Sequence, residues 1–234
     1  MKFKKSLIEN FIGYYFYKKL KIFRNSKKNE HLGEFGEDIF IRRFFKDKKK
    51  GFYVDIGCYH PVKGSLTYYL FKEGWNGLNV DLSKVSIDLF KILRPNDKNI
   101  NVAITDFDGE TEYYERGKIN QQNSLTFDDN NKKIKIKGYK LNTLLSELKI
   151  LKIDYLNIDV EGNEFKVLSS FDFKKFKPKL ISIEQNIYNS ERLFNEGCHK
   201  MLITNGYFLA SKIGVTCIYI DSKFEQSISS IMSI

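Results

Sequence analysis

Cysteine, proline, histidine and tryptophan are all sparse in this 234-residue chain, with three, three, three and one copies respectively. The cysteines, Cys58, Cys198 and Cys217, are odd in number and never spaced as CxxC, which gives neither a disulfide framework nor a zinc site. Buried free thiols are the expectation. Long hydrophobic runs are missing too. None approaches the ~18 uninterrupted apolar residues that a membrane-spanning helix requires, and no apolar core with a small-residue cleavage site opens the chain. The expected setting is the cytoplasm. Acidic charge is in the minority, with 29 Asp and Glu against 39 Lys and Arg, for a net +10. Much of the excess lies in lysine-rich stretches such as 2–5, 18–28 and 46–50, mixed with asparagine, which reads as a generally basic surface rather than a groove shaped for nucleic acid.

The length suits one well-filled α/β domain and is short for two. Residues 1–30 stand apart from that domain, which is taken as 31–234. Phe3, Leu7, Ile8, Phe11, Ile12, Tyr15 and Phe16 recur near helical spacing among lysines, predicting a basic amphipathic helix. Such a helix can lie peripherally on the anionic inner face of a membrane, form a dimer contact, or pack on its own domain.

From Gly33 the pattern becomes regular. Helices are expected over 37–45, 66–72, 85–93 (stopped by Pro95), 143–148, 164–169 and 192–204. Strands are expected over 52–56, 77–81, 100–104, 155–159 and 180–184. Alternation at this spacing predicts right-handed βαβ units and a parallel sheet with helices on both faces. Strands at 207–211 and 217–221, separated by Ile213-Gly214, read as a terminal antiparallel hairpin. Residues 106–140 break the rhythm, with turn signals at Asp108-Gly109 and Asn130-Asn131 and short strand-like pieces at 112–114 and 134–137. A stretch this irregular suits a lid or a substrate loop.

Ligands of an open α/β sheet sit beyond the carboxyl ends of its strands. Here those ends carry Asp55-Ile56-Gly57, Asp81, Asp106, Asp159-Val160-Glu161 and Glu184-Gln185-Asn186, acids at all five in a chain of excess lysine. An acid after the second strand is placed to accept both hydroxyls of a ribose, and Asp81, with the neighbouring Ser83, is assigned to cofactor binding. The GxGxxG turn that packs helix amides against a pyrophosphate is absent, since Gly57 is followed by Cys58, Tyr59, His60 and Pro61. A single glycine with acids around it suits a ligand that carries adenosine and positive charge but no phosphate, and S-adenosylmethionine has both properties. Methyl transfer to a hydroxyl then needs in-line positioning and a base, for which His60 or a carboxylate is the candidate. Asp159, Glu184 and Asn186, with Glu161 beside them, are oxygen ligands of the kind that suit Mg²⁺; the other reading is that Glu161 and Glu164 only orient loops or cap a helix.

Five segments, "FGEDIFIRRFF", "GFYVDIGCYHPVKGSLTYYLFKEGWNGLNVD", "LRPNDKNINVAITD", "YLNIDVEGNEFKVLSSFD" and "PKLISIEQ", together resemble the FkbM family of S-adenosylmethionine-dependent methyltransferases in order and spacing over 33–186. The resemblance implies the Rossmann-like class I methyltransferase fold, a seven-stranded sheet, and O-methylation of sugars in glycans or of related small metabolites. It implies that Asp55 and Gly57 flank the cofactor's methionine end, Asp81 its ribose and Asp106 its adenine, with Asp159 and Glu161 nearest the transferred methyl. Similar sequences often read "GAHHP" where this chain has "GCYHP", which leaves His60 as the one histidine candidate for a base there.

Two other functions fit parts of the sequence. A nicotinamide-dependent dehydrogenase shares the fold class but lacks the glycine fingerprint here. A nucleic-acid-binding protein would use the positive charge and show steeply salt-dependent binding. The acceptor is expected to be a small molecule or glycan whose identity is set by residues 1–30 and 112–137, with no specific nucleic-acid partner.

Overall fold

A computed structural model of the chain describes residues 32–115, 132–226 and 228. The expected amphipathic helix over residues 1–30 and the turn at Asn130-Asn131 lie outside the described residues.

Helix α1 (Glu37–Phe44) leads into β1 (Phe52–Ile56), followed by α2 (Tyr68–Lys72), β2 (Asn76–Asp81), α3 (Lys84–Leu93) and β3 (Lys98–Asn101). After the short β4 (Ala103–Ile104), β5 (Gly109–Glu115) and β6 (Lys132–Tyr139) come α4 (Leu141–Glu147), β7 (Tyr155–Ile158), α5 (Glu164–Ser169) and β8 (Leu180–Glu184). The chain closes with α6 (Ser190–Asn195), α7 (Gly197–Thr204), β9 (Tyr207–Ile213) and β10 (Thr216–Asp221). Seven of these strands form one sheet in the order β3-β2-β1-β7-β8-β10-β9. Its first five strands are mutually parallel, and β10 runs antiparallel to both β8 and β9. This is the doubly wound sheet with a terminal hairpin that the sequence pattern leads one to expect.

Register explains the two-sided burial. One row across the sheet is Leu78, Val54, Leu156, Ile181 and Tyr219, and the row two residues on is Val80, Ile56, Ile158, Ile183 and Cys217. Both rows pack against Leu141, Leu144 and Leu145 of α4, Val167 and Leu168 of α5 and Leu202 of α7. Tyr53, Tyr155, Leu180 and Ile220 face the other way, onto Phe40 and Ile41 of α1 and Leu70 of α2. A parallel sheet buried on both faces needs such near-continuous apolar strands. All three cysteines are buried free thiols, as expected.

Between the apolar rows on the α1 side runs a polar one. Asn99, Asn79, Asp55, Asn157 and Ser182 stand side by side on β3, β2, β1, β7 and β8. Three hydrogen bonds run along the row: Asn79 donates to Asn99 at 2.8 Å, Asn157 to Asp55 at 2.9 Å and Ser182 to Asn157 at 2.5 Å. Buried polar groups persist where they are paired in this way.

Three sequence expectations are corrected. The strand expected over 100–104 splits: Asn101 donates to the carbonyls of Asp81 and Leu82 and ends β3, after which Ala103 and Ile104 pair with β6 in a separate three-stranded sheet. Within the 106–140 stretch, the strand-like pieces expected at 112–114 and 134–137 are longer than expected and form the antiparallel β5–β6 pair of that sheet. The helix expected over 192–204 is two helices, because Glu196 takes an extended backbone (ψ 146°) between α6 and α7. Among the described residues, no helix is long and apolar enough to cross a membrane.

Candidate functional site

The carboxyl ends of β1, β2, β7 and β8 open into one cleft of about 1270 Å³, measured out to its open mouth. Its other walls are the 57–66 loop, Val102 and Ile104 where the chain changes sheet, Glu34 and Glu37 at the head of α1, and Val215 and Thr216 at the β9–β10 turn. Among the described residues, seven acids line it and no lysine, arginine or histidine does. In a chain of net charge +10, that separation makes the cleft a local trap for positive charge.

Gly57 makes the floor possible. Its φ is +80°, and a Cβ there would lie 1.6 Å from the Asp159 carbonyl oxygen. Only glycine lets the ends of β1 and β7 approach so closely. The amides of Gly57 and Cys58 both donate to the Val80 carbonyl, at 2.9 and 3.2 Å, tying the turn to β2. Tyr59 and Glu161 hold left-handed backbone at φ +48° and +54°, and both line the cleft. Such strain costs ~1–3 kcal/mol per residue and concentrates where ligands bind.

Asp55 is almost fully buried at the end of β1. Its Oδ1 accepts from Asn157 at 2.9 Å and its Oδ2 from Thr67 Oγ1 at 2.8 Å. Burial pushes its pKa up, while those hydrogen bonds and the charge of Arg94 pull it back down. Each oxygen keeps a second lone pair for a ligand. Asp81 receives the Tyr59 amide on Oδ2 at 2.8 Å and the Ser83 amide on Oδ1 at 2.7 Å. Its pKa rises to about 6 through burial, against the pull of these two amides.

Across the cleft Asp159, Glu161 and Glu184 bring carboxylate oxygens within 4.8 Å of one another. Asp159 can be reached by solvent yet is walled in by protein, so surface exposure overstates its hydration. Burial first, then the charge and hydrogen bond of Glu184 and the charge of Glu161, hold its carboxyl well above the usual range. Like charges this close disfavour one another's ionised form, and that repulsion adds to the effect of burial on Asp159. Glu164 serves the loop rather than the cluster: its Oε1 accepts the amides of Gly162 at 2.9 Å and Val160 at 3.3 Å.

The structure therefore brings Asp55, Gly57, Asp81, Asp159, Glu161 and Glu184 into one site, and four candidates fall outside the lining. Ser83 is the N-cap of α3, its Oγ accepting from the Ser86 amide at 3.2 Å. Asp106 is exposed in the bend after β4, and Asn186 is exposed beyond β8. His60 Nδ1 accepts the backbone amides of Val62 at 3.1 Å and Lys63 at 2.9 Å. A neutral imidazole accepting at Nδ1 carries its proton on Nε2, so this geometry braces the loop and leaves no ready lone pair for a base.

Sequence reasoning missed the α1 wall, where Thr216 Oγ1 donates to Glu37 Oε1 at 3.3 Å. It also missed Asn157 and Arg94. A signal for Asn157 existed: "GLNVD" and "YLNID" repeat a buried asparagine two residues before the strand-end acid. No curated protein and no solved structure matches the chain. A family model does: the methyltransferase FkbM domain matches residues 55–226, well over half the chain, from the carboxyl end of β1 onward. On that match the chain belongs to the FkbM methyltransferase family.

Proposed function

We propose that this methyltransferase moves a methyl group from S-adenosylmethionine to a hydroxyl of a sugar, a glycan precursor or a related small metabolite. The observation that carries the reading is that, among the described residues, every charged side chain lining the cleft is an acid, around the tight turn at Gly57. That lining suits a cationic ligand without phosphate. When bound, the cofactor supplies an electrophilic methyl group on its sulfonium. Asp81 keeps lone pairs for the two ribose hydroxyls, and Asp55 and Gly57 meet the methionine end. Val102 and Ile104 offer apolar walls to the adenine, with Asp106 at the rim on that side.

Asp159, Glu161 and Glu184 occupy the flank where an acceptor hydroxyl enters. An ionised carboxylate of this cluster can receive the hydroxyl proton, a role worth ~10²–10⁴ in rate. The all-oxygen donor set also fits Mg²⁺, which would add Lewis-acid help to hydroxyl ionisation. The basic segment 1–30 would carry the enzyme to the inner face of the membrane or to a second copy in the cytoplasm.

The test is transfer of labelled methyl to a panel of nucleotide sugars and oligosaccharides, with and without EDTA. Label recovered as an acid-stable sugar ether supports the proposal. Label found on nitrogen or sulfur acceptors alone would overturn the O-methyl reading, and turnover undiminished by EDTA would remove the ion.

A further inference from the structure

We propose that Arg94 is a positioning residue for the cofactor's amino-acid tail: through Thr67 it aims the Asp55 carboxylate into the cleft, and through Ser65 and Pro61 it fixes the wall beside it. The inference rests on the methyltransferase reading of this cleft.

Arg94 follows α3 and its side chain has no solvent exposure. One terminal nitrogen donates to Thr67 Oγ1 at 2.8 Å and to the Tyr53 hydroxyl at 3.2 Å. The other donates to Ser65 Oγ at 2.8 Å and to the Pro61 carbonyl. The rings of Phe90 and Phe71 flank the guanidinium at 4.8 and 5.2 Å.

None of these acceptors is a carboxylate, and Arg94 Nε has no hydrogen-bond partner among the described residues. A buried charge paired this imperfectly is a poor way to stabilise a core, where apolar side chains of similar volume do as well or better. Its geometry serves something else. Thr67 Oγ1 accepts from Arg94 and passes its own proton to Asp55 Oδ2 at 2.8 Å. Tyr53 does the same toward Asp97, at 2.5 Å. Two carboxylates thus lie one hydroxyl away on either side of one guanidinium, and they leave a single negative charge to be met from the cleft through Asp55. The tail ammonium of the cofactor is a cation of the right sign. Ser65 lines the cleft, so the same guanidinium sets the wall and the charge together.

The experiment is calorimetry on the full chain with two probes, S-adenosylhomocysteine, which has the amino-acid tail, and 5′-methylthioadenosine, which lacks it. Thr67→Val keeps the volume and the arginine but breaks the relay. Arg94→Lys keeps the charge but cannot reach all four acceptors. Circular dichroism identifies the folded variants, and Thr67→Val stands as the test should Arg94→Lys fail to fold. The expected result is a rise in Kd for S-adenosylhomocysteine of about tenfold or more, with less than about a twofold change for 5′-methylthioadenosine, as loss of a charge-assisted contact confined to the tail requires. Equal weakening of both probes, or unchanged tail affinity in a folded variant, would overturn the inference while leaving the methyltransferase reading intact. A wild-type chain that binds neither probe overturns both.

Discussion

At Asp81 the site makes its clearest statement about pH. With its pKa raised to about 6 by burial, the carboxylate is ionised at pH 7.5 and largely protonated at pH 5. Only the ionised form accepts hydrogen bonds on both oxygens, so affinity for S-adenosylhomocysteine is expected to fall as pH drops through about 6. Asp81→Asn should flatten that dependence, as a calorimetric pH series would show. Gly57→Ala acts at the same floor by sterics alone. The added Cβ would meet the Asp159 carbonyl at 1.6 Å, a clash with backbone, and a stability loss above ~4 kcal/mol is expected, measurable by denaturant unfolding. His60 separates bracing from catalysis. His60→Asn restores a side-chain acceptor for the amides at 62 and 63, and so should keep most of kcat, whereas loss of a general base costs ~10²–10⁴-fold. The acids of this site were legible in the sequence because residue type at a strand end is local information. Arg94 was not, since nothing near "LRPND" reveals that the loop thirty residues earlier folds over it.

Among the elements, the parallel strands and the terminal hairpin could be read from apolar runs and spacing. The failures came where two weak signals competed. Val102 sits between β3 and β4 in an apolar run that reads as one strand, and only the side-chain hydrogen bonds of Asn101 end the first pairing. Glu196 in an extended backbone divides a stretch whose periodicity suits one helix. The polar row through Asp55 was hidden for a different reason, because register between strands distant in sequence decides which residues stand abreast. At this scale the N-cap of α3 makes a prediction. Ser83 Oγ accepts the Ser86 amide, so Ser83→Ala should cost about 1 kcal/mol of stability by thermal or chemical unfolding. It should weaken S-adenosylhomocysteine less than Asp81→Asn does, since the Ser83 amide that supports Asp81 is retained.

Over the described residues, the charged side chains lining the cleft are acids, and lysine and arginine lie outside it. That arrangement has a stability consequence in the ligand-free protein. Asp55, Asp81, Asp159 and Glu164 all have pKa values raised by folding. A raised carboxyl binds its proton more tightly folded than unfolded, so its contribution is fully present below the unfolded value and is lost as pH rises through the folded one. For Asp81 that window runs from the model-peptide value of 3.8 to about 6. The contribution of Asp81 to Tm should therefore decline between pH 4 and pH 6, and Asp81→Asn should reduce the slope in differential scanning fluorimetry. The central claim, that this acidic cleft is the S-adenosylmethionine site of the methyltransferase, is tested most directly by calorimetry of S-adenosylhomocysteine against the wild-type chain and Asp81→Ala. The account predicts one bound ligand per chain and a loss of about tenfold or more in the variant, as removal of a charged hydrogen-bond acceptor requires. No heat of binding to the wild-type chain, or equal affinity in both proteins, would contradict it.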